Sequence, residues 1–416
     1  MTPKKQFDVV VIGGGPAGMM AAGRAAECGA SVILLEKNSR LGEKLLISGG
    51  GRCNLTNAEP DHHNLLAKYK EAAKFLYSPF SKFGVEETLQ FFHNRNMPTK
   101  VEPGNRVFPM SDRSQSVFDV LEGYMRENGV IVRFGASVTG FKASKSLVEG
   151  VQLSDGTSIS GKRYVLATGG KSHPETGSTG DGFRWLRAIS HTIIDPDPSL
   201  VPVRVKESWV KELSGISFED AKLSIFQNGK KQGSKRGKLL FTHFGLSGPL
   251  VINMSKDIGE SLKYGEVEVS VDFFPTLDVK SVDEKIQRVF SENLNKQTKN
   301  VLREIAAPLL VPVLTRLSSI DPEKEVNSVT KEERLALVKL LKDFRLQVDG
   351  LLGPEKAIVT SGGVALHEVD FRNMQSRLYS NLFLVGDILD IDRPSGGYSL
   401  QLCWTTGFVA GMSASL

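Results

Sequence analysis

Cysteine is scarce in this sequence. Three occur among 416 residues, at positions 28, 53 and 403, and none forms a C-x-x-C pair. That excludes a disulfide-stapled scaffold and a dithiol redox centre, and it suits a reduced, cytoplasmic setting. The seven histidines are scattered. His62 and His63 are adjacent rather than spaced along one helix face, so no metal-ligand pattern is present and no metal is expected. Long apolar runs are missing as well. The opening "MTPKKQFDVVVIGGGPAGMM" imitates a signal peptide, but three glycines and a proline interrupt it. No stretch approaches membrane-spanning length, so a membrane is not an expected partner. Charge of one sign is in small excess, a net +5 that nucleic acid tolerates but does not require. The densest basic stretch, "GKKQGSKRGK" at 229–238, has no interleaved aromatic residues. It reads as a solvated hairpin tip, and nucleic acid is not expected as a partner. Repeats of solenoid period and low-complexity tracts are absent, and nothing fixes an oligomeric state.

Glycine, by contrast, is plentiful. There are 41, many in clusters at 13–15, 49–51, 169–170, 362–363 and 396–397, which marks backbone sites rather than a flexible tract. The first cluster sits in "VVVIGGGPAGMMAA". Phe7 to Ile12 is β-branched without polar alternation, as in a parallel strand buried on both faces. Gly13, Gly15 and Gly18 fit G-x-G-x-x-G. In that pattern the first glycine makes the turn, the second admits a pyrophosphate and the third lets helix and strand pack closely. A helix over 17–28, with Pro16 at its start, then aims its N-terminus at the phosphates. The strand "SVILLE" follows and ends at Glu36, placed to accept hydrogen bonds from ribose hydroxyls. Strand, glycine turn, helix, strand and acid together predict a dinucleotide site.

The chain is long enough for two or three domains. Helical patterns occur near 64–76 and 85–95, and a hairpin turns at Pro103–Gly104–Asn105. Ser111 or Asp112 is a candidate cap for a helix reaching about Asn128. "GVIVRFGASVTGF" reads as a strand re-entering the parallel sheet. "VEGVQLSDGTSISGKRYVLAT" reads as two strands around Asp155–Gly156, the second delivering "ATGG" at 167–170. Prolines 196, 198 and 202 mark a composition change. The predicted organisation is a Rossmann-like α/β domain over 1–194, an insert over 195–345 and a return to the first domain over 346–416. The insert is β-rich over 195–275, as a barrel or sandwich, and helical over 280–343.

The C-terminal segment says which dinucleotide. "LFLVGD", 382–387, is an apolar strand ending in Gly386 and Asp387. A nicotinamide nucleotide has no need of so distant a segment. The longer FAD does, and Asp387 can accept a ribityl hydroxyl. Then "DRPSGGYSLQLCWTTGFVAG" turns at Pro394, Gly396 and Gly397 and starts a helix near Tyr398. Its N-terminus suits the flavin N1–C2=O edge, where negative charge collects on reduction.

"LLISGGGRCNLTN", "ATGGKSHPETGSTGDG", "LLFTHFGLSGPLVI" and "VGDILDIDRPSGGYSLQ" resemble the BaiN-like (YhiN) family of NAD(P)/FAD-dependent oxidoreductases, over residues 8 to 411. The resemblance implies non-covalent FAD and a flavoprotein fold of the two-dinucleotide-binding-domain type. It places Ala17, Gly18, Glu36, Lys37, Lys44, Asn54, a backbone group near Val138, Gly169, Asp387 and Leu400 at the cofactor. Asp387 stands where the family more often has Glu, and Ser399 where it more often has Asn.

Gly50 and Thr168 complete the expected cofactor contacts. Arg52 is placed equally well at a phosphate, at substrate or in an ion pair. Cys53 lacks a resolving partner and reads as a packed residue. His173 and His243 are the candidate proton donors or acceptors. "TGSTGDG" and "FTHFGLSGP" are the candidate walls of a substrate cleft between domains. A second glycine fingerprint is absent, so any NAD(P)H binds transiently. The reading is an FAD-dependent oxidoreductase passing a hydride between FAD and a small organic substrate or NAD(P)H. A flavoprotein acting on RNA and a non-enzymatic flavin redox sensor are the alternatives.

Overall fold

The computed structural model describes residues 6–353, 355, 357 and 359–416. The chain divides into two compact units, Met1–Ser199 with Ala357–Leu416, and Leu200–Lys356.

The first unit is an α/β domain built on a seven-stranded sheet. Its five parallel strands are β1 (Phe7–Ile12), β2 (Val32–Leu35), β3 (Ile131–Arg133), β4 (Gly161–Leu166) and β5 (Leu382–Leu384). They lie in the order β5-β4-β1-β2-β3, and a short antiparallel pair, Val369–Asp370 and Gln375–Ser376, extends the β5 edge. Valines 9, 10 and 11 of β1 are fully buried, which is why that strand carries no polar alternation. β1 is followed on one side by β2 and flanked on the other by β4, so the sheet has its switch point beside β1.

Helix α1 (Pro16–Glu27) starts one residue earlier than the glycine pattern implies, because proline is well suited to the first helical position. Gly18 is required sterically: a Cβ there would stand 1.9 Å from the Gly13 carbonyl oxygen. Helix α2 (Tyr398–Ala414) packs along α1 through small residues. A Cβ on Gly407 would come within 2.5 Å of the Ala17 carbonyl oxygen, and one on Gly411 within 2.4 Å of that of Ala21. The two helices therefore meet backbone to backbone.

Several local expectations are corrected. The helix expected from Ser111 or Asp112 begins at Ser114, after Arg113, because the Asp112 carboxylate is engaged by Arg52 and Lys100. The pattern at 64–76 is two helices, His62–Ala67 and Ala73–Lys82, interrupted where Lys70 takes a positive φ of 52°. Only 131–133 of "GVIVRFGASVTGF" joins the parallel sheet. Val138–Ser144 instead pairs with Leu147–Leu153, and a third short strand, Ser158–Ile159, completes that antiparallel excursion before β4.

The second unit is a closed six-stranded barrel of Val203–Val205, Gly245–Ser247, Lys230–Thr242, Ser217–Gln227, Val267–Asp272 and Phe344–Leu351. The last of these spans position 346, the point read from the sequence as the return to the first domain; it pairs with strands 203–205 and 267–272. Phe218, Phe241, Phe273 and Phe344 pack ring against ring in its core. The helices Val279–Ser291, Val311–Leu317 and Lys331–Lys342 lie in the chain between its final two strands. Thr330 caps the last of them, accepting from Glu333 N–H while the Glu333 carboxylate accepts from Thr330 N–H.

Candidate functional site

A cavity of about 400 Å³ opens where the parallel strands end. Ile12 and Gly13 at the end of β1, Leu35 and Glu36 at the end of β2, Ala136 and Val138 after β3, Ala167 to Gly169 after β4, and Val385 after β5 all line it. Ligands of open α/β sheets bind at this end of the strands, beside the switch point. The cavity lies wholly within the first unit.

One wall is the glycine turn. Gly13 has φ of 101° and its missing Cβ avoids the Ala167 carbonyl. A Cβ on Gly15 would meet nothing within 4 Å, so that backbone faces open space at the start of α1. Pro16 and Ala17 line the same wall, and α1 begins with no side-chain cap. The N-terminus of a 12-residue helix is thus presented to the cavity, a setting that favours an anion.

Glu36 is 9% exposed and its carboxylate is held by backbone. Oε2 accepts from Gly14 N–H at 2.7 Å and Oε1 from Asn38 N–H at 2.8 Å. Each oxygen keeps a lone pair for a ligand hydroxyl. Lys37 donates to Thr179 Oγ1 at 2.8 Å and Asp181 Oδ2 at 3.2 Å. Burial pushes the Asp181 carboxyl up, but Thr179 and Lys37 outweigh it and hold the group below its ordinary value. Gly177, with φ of 99°, takes the chain of "TGSTGDG" past Asn38 and Lys37.

At the other wall stand Asp387, Ser399 and Leu400. Lys44 donates to Ser172 Oγ at 2.7 Å and sits 3.5 Å from Asp387 Oδ2. The opposite oxygen, Oδ1, accepts from Arg393 Nη2. Burial works to raise the Asp387 carboxyl, yet Arg393 and Lys44 outweigh that and keep it below the ordinary carboxylate value. Gly50, in a turn with φ of 68°, lines the cavity with open space before its missing Cβ. Thr168 Oγ1 at the cavity wall is buried without a hydrogen-bond partner.

The expected cofactor residues Gly13, Gly15, Pro16, Ala17, Glu36, Lys37, Lys44, Gly50, Val138, Thr168, Gly169, Asp387, Ser399 and Leu400 therefore line one cavity, and His173 joins them. Gly18, Asn54, Gly386 and Gly397 do not line it. Gly18 serves helix–strand packing, as described. The Asn54 amide fastens backbone instead: it donates to the Thr56 and Val107 carbonyls and accepts from Gly397 N–H at 3.0 Å. Gly397 is needed because a Cβ would lie 2.3 Å from Thr56, and Gly386 because one would press on Ala17. His173 has φ of 53° and its Nδ1 is bonded to Glu175 at 2.8 Å. His243 is exposed in the turn Thr242–Gly245 of the second unit and is not part of the cavity.

Arg52 is an ion-pair residue. It bonds Glu102 and Asp112 and lies 4.2 Å over the Phe108 ring. Cys53 is fully buried and burial pushes its thiol up to about 12; Cys403, at the cavity wall, is pushed up likewise to about 12. Neither has the thiolate character of a reactive cysteine. Among the described residues no group of His, Cys, Asp and Glu could hold a metal, and no helix is long and apolar enough to cross a membrane.

Sequence reading missed Gly14, whose N–H anchors Glu36, and Arg393. The signal for Arg393 was present: it is a lone cation among the acids and glycines of "DILDIDRPSGG".

The family model described as HI0933-like protein Rossmann domain matches residues 7–413. The chain belongs to the HI0933-like family. A curated relative within reach of this HI0933-like chain is the 3-dehydro-bile acid delta(4,6)-reductase of Clostridium scindens, 32% identical over 412 residues and covering 97% of this chain and 98% of the relative. The ribosomal RNA dihydrouridine synthase of Escherichia coli is 28% identical over 410 residues, covering 97% of each. Among solved structures, 3-ketosteroid-delta4-(5alpha)-dehydrogenase from Rhodococcus jostii RHA1 aligns with a TM-score of 0.55 at 16% identity, covering 100% of this chain and 98% of that one. A flavocytochrome c3 fumarate reductase aligns with a TM-score of 0.53 at 16% identity, covering 100% and 79%. These structures share the fold of the HI0933-like chain.

Proposed function

We propose that this HI0933-like protein is an FAD-dependent oxidoreductase that saturates a carbon–carbon double bond conjugated to a carbonyl group. The observation that carries the FAD reading is the meeting of Gly15 and Asp387 on one cavity. Segments at opposite ends of the sequence converge there, as an elongated dinucleotide requires. The cavity suits that cofactor chemically. The α1 N-terminus and the cavity-lining cations Lys37, Arg40 and Lys44 would hold a pyrophosphate, Glu36 a ribose, Asp387 the ribityl chain and the N-terminus of α2 the ring edge. FAD supplies the hydride chemistry when bound. The chain's own residues hold the dinucleotide and keep water from its buried parts. His173, fixed at Nδ1 by Glu175, leaves Nε2 for a proton at the cavity rim.

The reaction class follows from the relatives. The names of the bile-acid reductase and the dihydrouridine synthase both describe saturation of a double bond beside a carbonyl. A small organic enone is the favoured substrate because its named relative is the more similar of the two. A uridine within RNA is the second reading, and it rests on the dihydrouridine synthases. Against it, the basic strand 230–238 is largely neutralised at its surface: Lys235 pairs with Asp257, Arg236 with Asp220 and Lys238 with Glu219. NAD(P)H as a transient donor, and a cytoplasmic location, belong to the same proposal.

The test is anaerobic. The purified protein is reduced with NADH or NADPH, and return of the flavin absorbance is followed with a steroidal enone, a cyclic enone, free uridine and unmodified ribosomal RNA. Reoxidation by an enone alone supports the favoured reading. Reoxidation by RNA alone selects the second. Absence of FAD after purification, with no uptake of added FAD, refutes both.

A further inference from the structure

The most deeply buried cation of the α/β unit's cavity region does not itself line that cavity. The Arg393 side chain is completely buried. Its three nitrogen donors are all engaged: Nη2 with Asp387 Oδ1, Nε with Ser399 Oγ at 3.0 Å, and Nη1 with the Ile391 carbonyl at 2.6 Å. Two of these partners, Asp387 and Ser399, stand on the cavity wall, while Arg393 itself stands behind it. The polar ends of both lie within reach of one guanidinium, whose planar fork can serve two partners at once better than an ammonium does.

The charges of this corner do not cancel. Asp387 carries one negative charge and faces two cations, Lys44 and Arg393. Without Arg393 the Lys44–Asp387 pair is neutral; with it the corner is positive by one charge. That charge lies beside Ser399, in the first turn of α2, where the helix N-terminus adds its own positive end. Burial makes the field of such a charge far stronger than at a surface.

Resting on the FAD reading above, we propose that Arg393 is a positioning residue that fixes Asp387 and Ser399 against the ribityl-to-ring end of the dinucleotide and, through its charge, favours the reduced flavin. It does so without contacting the cofactor. The helix end alone supplies a partial charge shared by many helices; the guanidinium supplies a whole one at a set place.

The experiment compares Arg393→Met, Arg393→Gln and Arg393→Lys with the unaltered protein. Each is titrated with FAD by flavin fluorescence, and the potential of the bound flavin is measured against a reference dye. Met and Gln both remove the charge, and Gln, being polar, remains the usable variant if Met does not fold. The expected result for each is that reduced flavin loses about tenfold more affinity than oxidised flavin, a fall of about 30 mV in a two-electron potential. Lys keeps the charge and loses the fork, so its potential stays near that of the unaltered protein while FAD binds several-fold more weakly. A neutral variant that binds FAD at an unchanged potential overturns the proposal, as does a Lys variant whose potential falls as far as that of Gln. If the unaltered protein takes up no FAD, the cofactor reading fails first, and the two failures are thereby distinguished.

Discussion

Glu36 and Asp387 stand on one cavity, yet they are held by opposite means. Glu36 is gripped by two neutral backbone N–H groups, those of Asn38 two residues on and of Gly14 in the preceding glycine turn. Asp387 is gripped by two charged side chains, one of them, Lys44, 343 positions away. A carboxylate bound by backbone costs little to bury, because its donors are part of the strand-turn-helix that the glycines already dictate. A carboxylate bound by a buried and a part-buried cation is a charge cluster, and removing the carboxylate leaves the buried Arg393 uncompensated. The first acid is thus built for shape and the second for charge.

The comparison is broken most severely at Asp387. Asp387→Asn leaves the buried Arg393 without a carboxylate partner, and the apo-protein should lose about 3–5 kcal/mol in a urea titration. The pH dependence of that loss sharpens the point. The folded carboxyl lies below its ordinary value of 3.8, so its contribution is present above that pH and disappears as pH falls through the lower folded value. The stability gap between the unaltered protein and Asp387→Asn should therefore be constant near neutrality and close only in acid below about 3.8. Next in size is Glu36→Gln. Its amide sets a donor against Gly14 N–H or Asn38 N–H, and loss of a charged hydrogen bond worth about 1.5–3 kcal/mol should weaken FAD binding roughly 10–100-fold. Denaturation should change less than for Asp387→Asn, since no buried cation is orphaned. The smallest effect belongs to the exposed pairs of the second unit. Reversing Lys235, Arg236 and Lys238 together to Glu should change FAD affinity not at all and stability by roughly 1 kcal/mol per pair at most. A large loss of activity on RNA alone in that variant would favour the second substrate reading.

The same contrast explains what the sequence made legible. The glycine turn, β1, β2 and Glu36 could be read because each follows from a local rule about φ, burial or spacing. The strand at 382–384 and the turn before Tyr398 could be read because an apolar run ending in Gly-Asp is likewise local. Arg393 was missed although its three partners, Asp387, Ile391 and Ser399, lie within six residues of it, because spacing along an irregular turn does not show that the turn folds back and buries the cation. The barrel strand 344–351 was obscured for a related reason: the helices that precede it in sequence hide its pairing with strands 203–205 and 267–272. Asn54 and Gly397, each expected at the cofactor, bond to each other and pack on Thr56 and do not line the cavity.

The backbone-to-backbone seam of α1 and α2 bears on how the protein is made. At 5–20 residues per second, a ribosome takes about 20–70 s to pass from Lys44 to Asp387. Throughout that interval the nascent α1 waits with its small-residue stripe uncovered and half of the nucleotide cradle missing. Both walls of the nucleotide cradle therefore exist only once Asp387 and the start of α2 have been made.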